Sequence, residues 1–488
     1  MLEKIVNIGS IIDIKKNLNK TAIIDLSRSE TRFFSYKDII DFSSSVAHLL
    51  VSKDIKPGDR VAILSQNSAE FVSCFFGIMK TGAIAVLINN KLTDNQIKKI
   101  LDDCSPKILF CDKPINVRIE TIDITDNFES IISQESYNDY IPTENDPAFI
   151  LYTSGSYGDP KGAIITHHNH AWSIQRHGRY DKEWSEKRIS LISAPIYHAN
   201  GLTTIEGMIY GHATTVLLPE FNSRKSLEAI ANFKVNTVFC VPTMIAMMFQ
   251  EKDLLETLDL SSLRNIKSAS SHLHDNLAEA IRKYFPNVTF TNNYGITEVG
   301  PGLFGPHPEG IPRPAGSVGY PAKGIEYRIV DRILQIKSPS MMTNYYKKEK
   351  NEMVTDDGFF ITNDLFEIDE NGFYYFLGRA DDMFKSGGNR IYPSEVESIL
   401  NQHQSVNSSF VLGMPDEIKG FKPYAFVVLK KDLKTTEQEL IDFFLSKAPA
   451  YMHPRKIWFI DSFPLAGTNK VSKKSLEDLA KHNLTNGL

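Results

Sequence analysis

From Thr21 the sequence switches repeatedly between short β-branched runs and longer amphipathic ones, and no other feature narrows the possible folds as much. The spacing predicts a strand from Ala22 to Leu26, then a helix that Ser35-Tyr36-Lys37-Asp38 caps and that runs to about Val51. A strand from Arg60 to Leu64 follows the turn Gly58-Asp59. A helix from Ala69 to Met79, a strand from Ala83 to Ile88, a helix from Asp94 to Asp102 and a strand from Lys107 to Cys111 continue the cycle. Such alternation belongs to parallel sheets covered by helices. Residues 113 to 146 are polar and irregular. The cycle resumes with strands from Ile189 to Ser193, Thr214 to Leu218 and Thr237 to Val241, separated by helices from about Leu202 to Tyr210 and from Ser223 to Phe233. Two related αβ-layered sheets are expected.

A chain of 488 residues, 42% of them hydrophobic, has room for two to four domains at roughly 100 to 200 residues each. From Gly316 to Gly378 short strands alternate with turns such as Asp356-Asp357-Gly358, which predicts a small β subdomain from about residue 316. Gly378-Arg379-Ala380-Asp381-Asp382 interrupts that pattern. Beyond it, a helix starting at Pro393-Ser394-Glu395, strands at Ser409 to Leu412 and Tyr424 to Leu429, a helix from Thr436 to Ser446 and a strand from Lys456 to Ile460 suffice for a small α+β domain. The fold class is therefore α/β, with a large N-terminal region over 1–380 and a small C-terminal domain over 381–488.

Net charge is −5, from 54 basic and 59 acidic residues without long like-charge blocks, which argues against nucleic acid or an anionic membrane as the main partner. The N-terminus lacks a basic head before an apolar stretch, and no run approaches about 18 apolar residues, so a soluble cytoplasmic protein is expected, without integral membrane association. Four cysteines without metal-ligand pairing suit a reducing compartment. Thr166-His167-His168-Asn169-His170 is dense in histidine, yet no carboxylate or cysteine sits at ligand spacing, and it is not read as a metal site.

The stretch Leu151-Tyr152-Thr153-Ser154-Gly155-Ser156-Tyr157-Gly158-Asp159-Pro160-Lys161-Gly162 lies between two apolar runs and joins strand to strand. Its glycines let backbone N–H groups converge on an anion, the hydroxyls of Thr153, Ser154 and Ser156 add donors, and Lys161 supplies a compact positive charge. These parts suit a polyphosphate. The spacing is not that of the strand-to-helix phosphate loop, which requires Gly-x4-Gly-Lys-Ser/Thr. On residue types alone, a glycine-rich turn with incidental hydroxyls remains open.

Thr153 to Gly162 resembles the signature loop of the adenylate-forming superfamily, which includes acyl- and aryl-CoA synthetases, luciferases and adenylation domains of peptide synthetases. Further motifs similar to that family's follow in its order along nearly the whole chain. The resemblance implies that the loop holds the β- and γ-phosphates of ATP while a carboxylate attacks the α-phosphate. In Asn293-Tyr294-Gly295-Ile296-Thr297-Glu298 it implies that Tyr294 stacks on adenine, Thr297 binds the α-phosphate and Glu298 helps to hold Mg²⁺. In Thr362-Asn363-Asp364 and Gly378-Arg379 it implies that Asp364 and Arg379 bind the ribose hydroxyls; a structural Asp–Arg salt bridge is the plainer alternative. Pro464-Leu465-Ala466-Gly467-Thr468-Asn469-Lys470-Val471 resembles the catalytic-lysine loop, which gives Lys470 the role of neutralising charge between carboxylate and α-phosphate.

Ala194-Pro195-Ile196-Tyr197-His198-Ala199-Asn200-Gly201 resembles the acyl- and aryl-CoA branch, because amino-acid-activating domains usually carry an Asp near the position of His198. His198, Gly201 and Gly295 are assigned to the acyl pocket on that basis. Lys385-Ser386-Gly387-Gly388 resembles the element that a rotated small domain presents for thioester formation, with Lys385 catalytic, Gly387 and Gly388 on the pantetheine channel and Asp381 at the hinge. The sequence departs from the family at Tyr157, at Asn363 and Asn469 where Gly is usual, at Leu334-Gln335-Ile336, and at Ser268 to Leu273. In that last run Ser270, Ser271 and His272 are expected to face an acid with a polar group or aromatic hydroxyl. The resemblance thus implies an AMP-forming carboxylate–CoA ligase that uses ATP, Mg²⁺ and coenzyme A, as monomer or homodimer. Its alternatives are a stand-alone enzyme loading an acyl carrier protein, a luciferase-like oxygenase, and a non-catalytic nucleotide-binding homologue.

Overall fold

The computed structural model describes residues 6–125, 128, 135–154, 160–178, 186–269, 275–349, 351–430, 433–466 and 471–485. Two seven-stranded sheets dominate it. One runs in the order Thr289–Asn293, Asn265–Ala269, Thr237–Cys240, Ile189–Ile192, Thr214–Leu217, Thr21–Asp25 and Arg32–Ser35, parallel except for the last strand. The other runs Asn344–Tyr345, Pro160–Thr166, Pro147–Ser154, Ile84–Leu87, Arg60–Leu64, Ile108–Cys111 and Glu120–Asp123, with its first two junctions antiparallel. The expected glycine-rich connection is thus a hairpin, with Thr153 opposite Lys161.

The two sheets do not follow the two alternating stretches of sequence one for one. Thr21–Asp25 pairs on one side with its chain neighbour Arg32–Ser35 but on the other with the distant Thr214–Leu217, and Asn344–Tyr345 returns to the edge of the glycine-rich hairpin. A short strand, Glu120–Asp123, also extends the second sheet where an irregular connection was expected. Its side chains are mostly exposed, so its sequence carries no buried run from which to read it.

Helix Ala69–Lys80 is buried along every residue, and its Phe71, Phe75 and Met79 share one core with Ile23 and Leu217 of the first sheet and Ile63 and Phe149 of the second. A helix apolar on all sides belongs inside, between layers. Gly77 lets helix Tyr36–Ser52 close on it, since a Cβ there would lie 2.6 Å from the Cβ of Val46. The first of these helices starts at the N-cap Ser68, the second at the predicted capping box of Ser35 with Asp38.

Strands Glu326–Val330, Ile333–Lys337, Phe360–Ile368 and Tyr374–Arg379 form an antiparallel sheet of their own, within the region read as a β subdomain. Beyond the turn Ala380–Asp382, strands Asn389–Ile391, Phe384–Ser386, Gly420–Leu429 and Val406–Asp416 make a further sheet, with Ile457–Phe459 added in parallel. Phe384, Val396, Leu400, Val427 and Phe444 build a separate core beneath it. No helix among the described residues is long and apolar enough to cross a membrane.

The histidine-dense segment starts helix His167–Gly178, and its rings diverge. His167 Nδ1 accepts the backbone N–H of Ile8 at 3.0 Å, His170 pairs with buried Glu206 at 2.5 Å, and His168 is exposed. Burial, helped by His170 and opposed by Asp146, pushes the His167 imidazole down to about 4. The unfolded chain takes up this proton near pH 6.5, so the stability that neutral His167 contributes is complete above 6.5 and is lost as pH falls towards 4. Urea midpoints at pH 7 and pH 5 are expected to differ less for His167→Asn than for wild type.

Candidate active site

The ends of both sheets and the antiparallel subdomain enclose a cavity of about 960 Å³. Thr153 and Lys161 border it from the glycine-rich hairpin, His198 and Gly201 from the N-terminal end of helix Ala199–Tyr210, and Asn293 to Glu298 from the end of Thr289–Asn293. Arg379 and Asp381 close it from the far side. Sites of this kind form where parallel strands end and their loops converge. Gly155, Ser156, Tyr157, Gly158, Ser270, Ser271, His272 and Lys470 lie outside the described residues, as does the side chain of Ser154.

Tyr294 is buried among Phe304, Phe366 and Phe376, and its hydroxyl donates to Asp364 Oδ2 at 2.5 Å. Burial first, then the Asp364 carboxylate, push that phenol well above its ordinary range, so it remains a donor. Asp364 stands opposite Arg379 in strand register, and the guanidinium reaches Asp364 Oδ1 at 3.2 Å and Asp381 Oδ2 at 3.0 Å. The salt bridge given as the plainer reading therefore exists, with Arg379 lining the cavity and Asp364 buried behind it. Asn363 takes φ = 56°, the left-handed conformation that Asn tolerates best after Gly, and the strand bulges there. Thr362 fixes the bulge: its hydroxyl donates to the carbonyl of Leu334 and accepts the N–H of Asp364.

His198 is the N-cap residue of helix Ala199–Tyr210, and its ring leans on Tyr197 at 4.8 Å between centroids. Gly201 borders the cavity, but its lack of a side chain answers to packing, since a Cβ would fall 2.2 Å from the carbonyl oxygen of Pro195. Gly295 is constrained in the same way by Pro301. Lys385, Gly387 and Gly388 are not among the residues lining the cavity. The two glycines, at φ = 54° and 86°, form the two-residue turn of a hairpin between Phe384–Ser386 and Asn389–Ile391.

Four further residues enter the site without a motif to announce them. Tyr345 donates to Glu298 Oε1 at 2.9 Å and lies under the Lys161 ammonium, 5.6 Å from ring centroid to Nζ. Lys473 borders the cavity and pairs with Asp382 at 2.7 Å, next to the bridge of Leu465 with Val471 that brackets the loop of Lys470. Lys267 reaches in from strand Asn265–Ala269. Asn67 lies behind the site: Nδ2 donates to the carbonyls of Ala194 and Leu218, and Oδ1 accepts the N–H of Ile196. Asn67 sits in Gln66-Asn67-Ser68, where a helix cap is the obvious reading, and Tyr345 lies in a polar run; neither type is distinctive at its position.

Among the described residues no three His, Cys, Asp or Glu side chains converge as metal ligands. Glu298 fits a hard cation all the same. Its Oε1 accepts from Tyr345, its second oxygen accepts no hydrogen bond among the described residues, and Thr297 supplies a hydroxyl beside it. Mg²⁺ needs few protein oxygens when phosphate and water complete its shell.

The model of the AMP-binding enzyme family matches residues 13–346, and that of the AMP-binding enzyme C-terminal domain matches residues 395–470. The probable 4-coumarate–CoA ligase 2 of Dictyostelium discoideum is 29% identical over 91% of this chain and 90% of its own length. The fatty acid–[acyl-carrier-protein] ligase ScoC of Streptomyces coeruleorubidus is 27% identical over 92% of both. The crystal structure of the anthranilate CoA ligase AuaEII with anthranoyl-AMP superposes with a TM-score of 0.87 at 28% identity, covering 100% of this chain and 99% of that one.

The left-handed bulge gives a direct test. Asn363→Gly is expected to keep stability within a few tenths of a kcal/mol, whereas Asn363→Val, β-branched at positive φ, is expected to lose about 1–2 kcal/mol in urea unfolding.

Proposed function

The chain belongs to the AMP-binding enzyme family and is an acid–thiol ligase of that family; from this we propose that it joins a small carboxylic acid to coenzyme A in two steps at the cavity. The carboxylate attacks the α-phosphorus of ATP, pyrophosphate leaves, and the thiolate of CoA then displaces AMP from the acyl-adenylate. The observation that carries this reading is the convergence on one cavity of Lys161, Thr297, Glu298, Arg379 and the segment around Lys473.

In this reading Thr153, Ser154 to Gly158 and Lys161 hold the β- and γ-phosphates. Tyr294, fixed by its aromatic neighbours, offers a flat face to adenine, and the buried Asp364 with Arg379 meets the ribose diol, a carboxylate accepting and a guanidinium donating. Thr297 donates to the α-phosphate. Glu298 and Thr297 would hold Mg²⁺, which supplies charge neutralisation for the departing pyrophosphate. Lys470 provides the cation for the transition state; three residues on, Lys473 pairs with Asp382 at the cavity. His198 stands between the acyl end and the thiol's approach.

The described arrangement, with Asp381, Asp382 and Lys473 at the cavity and the Lys385 hairpin away from it, favours the adenylation step. Thioester formation then requires the domain after residue 380 to turn about Asp381 and bring Lys385, Gly387 and Gly388 inwards. The likeness to ScoC favours a second reading, transfer of the acyl group to a carrier-protein pantetheine by the same chemistry. All four cysteines are free and buried, which suits a cytoplasmic enzyme.

Pyrophosphate release across short, medium, aryl, hydroxy and dicarboxylic acids, with and without CoA, tests the reading. Acid-dependent release that turns over only with CoA, and that falls by about two orders of magnitude or more in Lys470→Ala, is the expected result. Release that stops at one equivalent despite CoA indicates the carrier protein, and nucleotide binding without any release defeats the ligase. Tyr345→Phe removes one donor from Glu298 and leaves the ring under Lys161. It is expected to raise the Mg²⁺ concentration for half-maximal rate by about 2- to 10-fold, the net worth of one ordinary hydrogen bond, with little change in KM for the acid.

A further inference from the structure

Phe239, Lys267 and Thr291 stand in register across three parallel strands, so their side chains share one face, and all three line the cavity. Val241 and Asn293 lie one pleat further along the same strands. Glu298 follows from the same strand end as Asn293, so the Lys267 row is displaced from the phosphate-binding end by at least two residues of strand, roughly 7 Å. Lys267 therefore borders the remote end of the space that the acyl group would fill.

A lysine rarely stands in such a place without a partner. The Lys267 ammonium lies 5.4 Å from the centroid of Phe239, and among the described residues no carboxylate opposes its charge. Burial and the like charge of Arg188 push it down to about 8. Of the other basic groups in the wall, Arg313 donates to the carbonyl of Val318, Arg379 and Lys473 pair with carboxylates, and Lys161 lies over the Tyr345 ring. Among the described residues the Lys267 ammonium makes no hydrogen bond, which leaves its donors for what occupies the cavity.

We propose that Lys267 determines which acid is used, by pairing with a second oxygen group, a carboxylate or an acidic phenol, at the end of the acid remote from the carboxylate that is activated. The proposal rests on the reading of the cavity as the acyl-adenylate site. It favours dicarboxylic or hydroxyaryl acids over unsubstituted alkanoic or aryl acids of equal length. An unsubstituted tail would leave the ammonium buried without an acceptor, and the specificity is the difference between the two cases.

The test uses the full chain and compares kcat/KM for pyrophosphate release on matched pairs: a dicarboxylic acid with its monocarboxylic homologue, and a para-hydroxyaryl acid with the unsubstituted one. Wild type is expected to prefer one oxygen-bearing member by at least about tenfold, the scale of a charged hydrogen bond; which pair shows it distinguishes carboxylate from phenol. Lys267→Met is expected to abolish that preference through KM for the oxygen-bearing member, while Lys267→Arg keeps part of it. Equal losses on both members of each pair in Lys267→Met, or a wild-type preference for unsubstituted tails, overturns the proposal. ATP binding measured by calorimetry on each variant separates a selectivity change from misfolding. If wild type activates no acid at all, the ligase reading itself fails and this proposal falls with it.

Discussion

The site depends first on two sheets being locked to one another, and buried polar groups do this where apolar packing alone would let them slide. Asn67, wholly buried, follows a strand of the second sheet and gives its donors and its acceptor to backbone groups of Ala194, Ile196 and Leu218 in the first. Each buried group left unmade would cost about 1–3 kcal/mol, so any other relative placement of the sheets is penalised. On a separate line, Arg32 joins Asp25 of the first sheet to Glu70 of the helix between them. The turn Pro195 to His198 inherits its position from Asn67, and Gly201 allows that turn to fold tightly onto its helix.

Around the cavity the charges stand in reserve rather than in isolation. Arg379 is shared by Asp364 and Asp381, Lys473 is held by Asp382, and Glu298 by Tyr345. A nucleotide entering the site would exchange partners that are already oriented, which keeps the reorganisation small. Tyr345 connects this set to the glycine-rich hairpin mechanically as well, because its strand zips onto Pro160–Thr166 and Tyr346 N–H donates to the carbonyl of Gly162.

Most of the architecture was legible because period and capping agree locally: Ser35 with Asp38 starts the first helix, and Arg60–Leu64 begins and ends where its apolar run does. What the chain did not disclose is non-local. Nothing near Thr21 says that its strand pairs with residues after 213, and nothing near Asn344 says that it returns to the glycine-rich hairpin. The motif residues Thr153, Lys161, His198, Tyr294, Thr297, Glu298, Asp364 and Arg379 do meet at the cavity or, for Asp364, directly behind it. Asn67, Lys267, Tyr345 and Lys473 were invisible because each acts through a contact distant in sequence, and an Asn, Lys or Tyr in a polar run is ordinary until that contact is known.

The exchange of strands between sheets also sets an order of assembly. As the chain emerges during synthesis, Thr21–Asp25 and Arg32–Ser35 can pair with each other at once, yet Ile24 must wait for Val216 before it gains its parallel neighbour. Contacts that span so much chain form late and slowly, and an edge left open meanwhile invites pairing with other nascent chains. The glycine-rich hairpin waits longer still for Asn344–Tyr345 at its flank. The cavity is therefore among the last parts to be completed, and a chain halted before residue 344 would display much of the two-sheet scaffold without the flank that steadies Lys161 and Glu298.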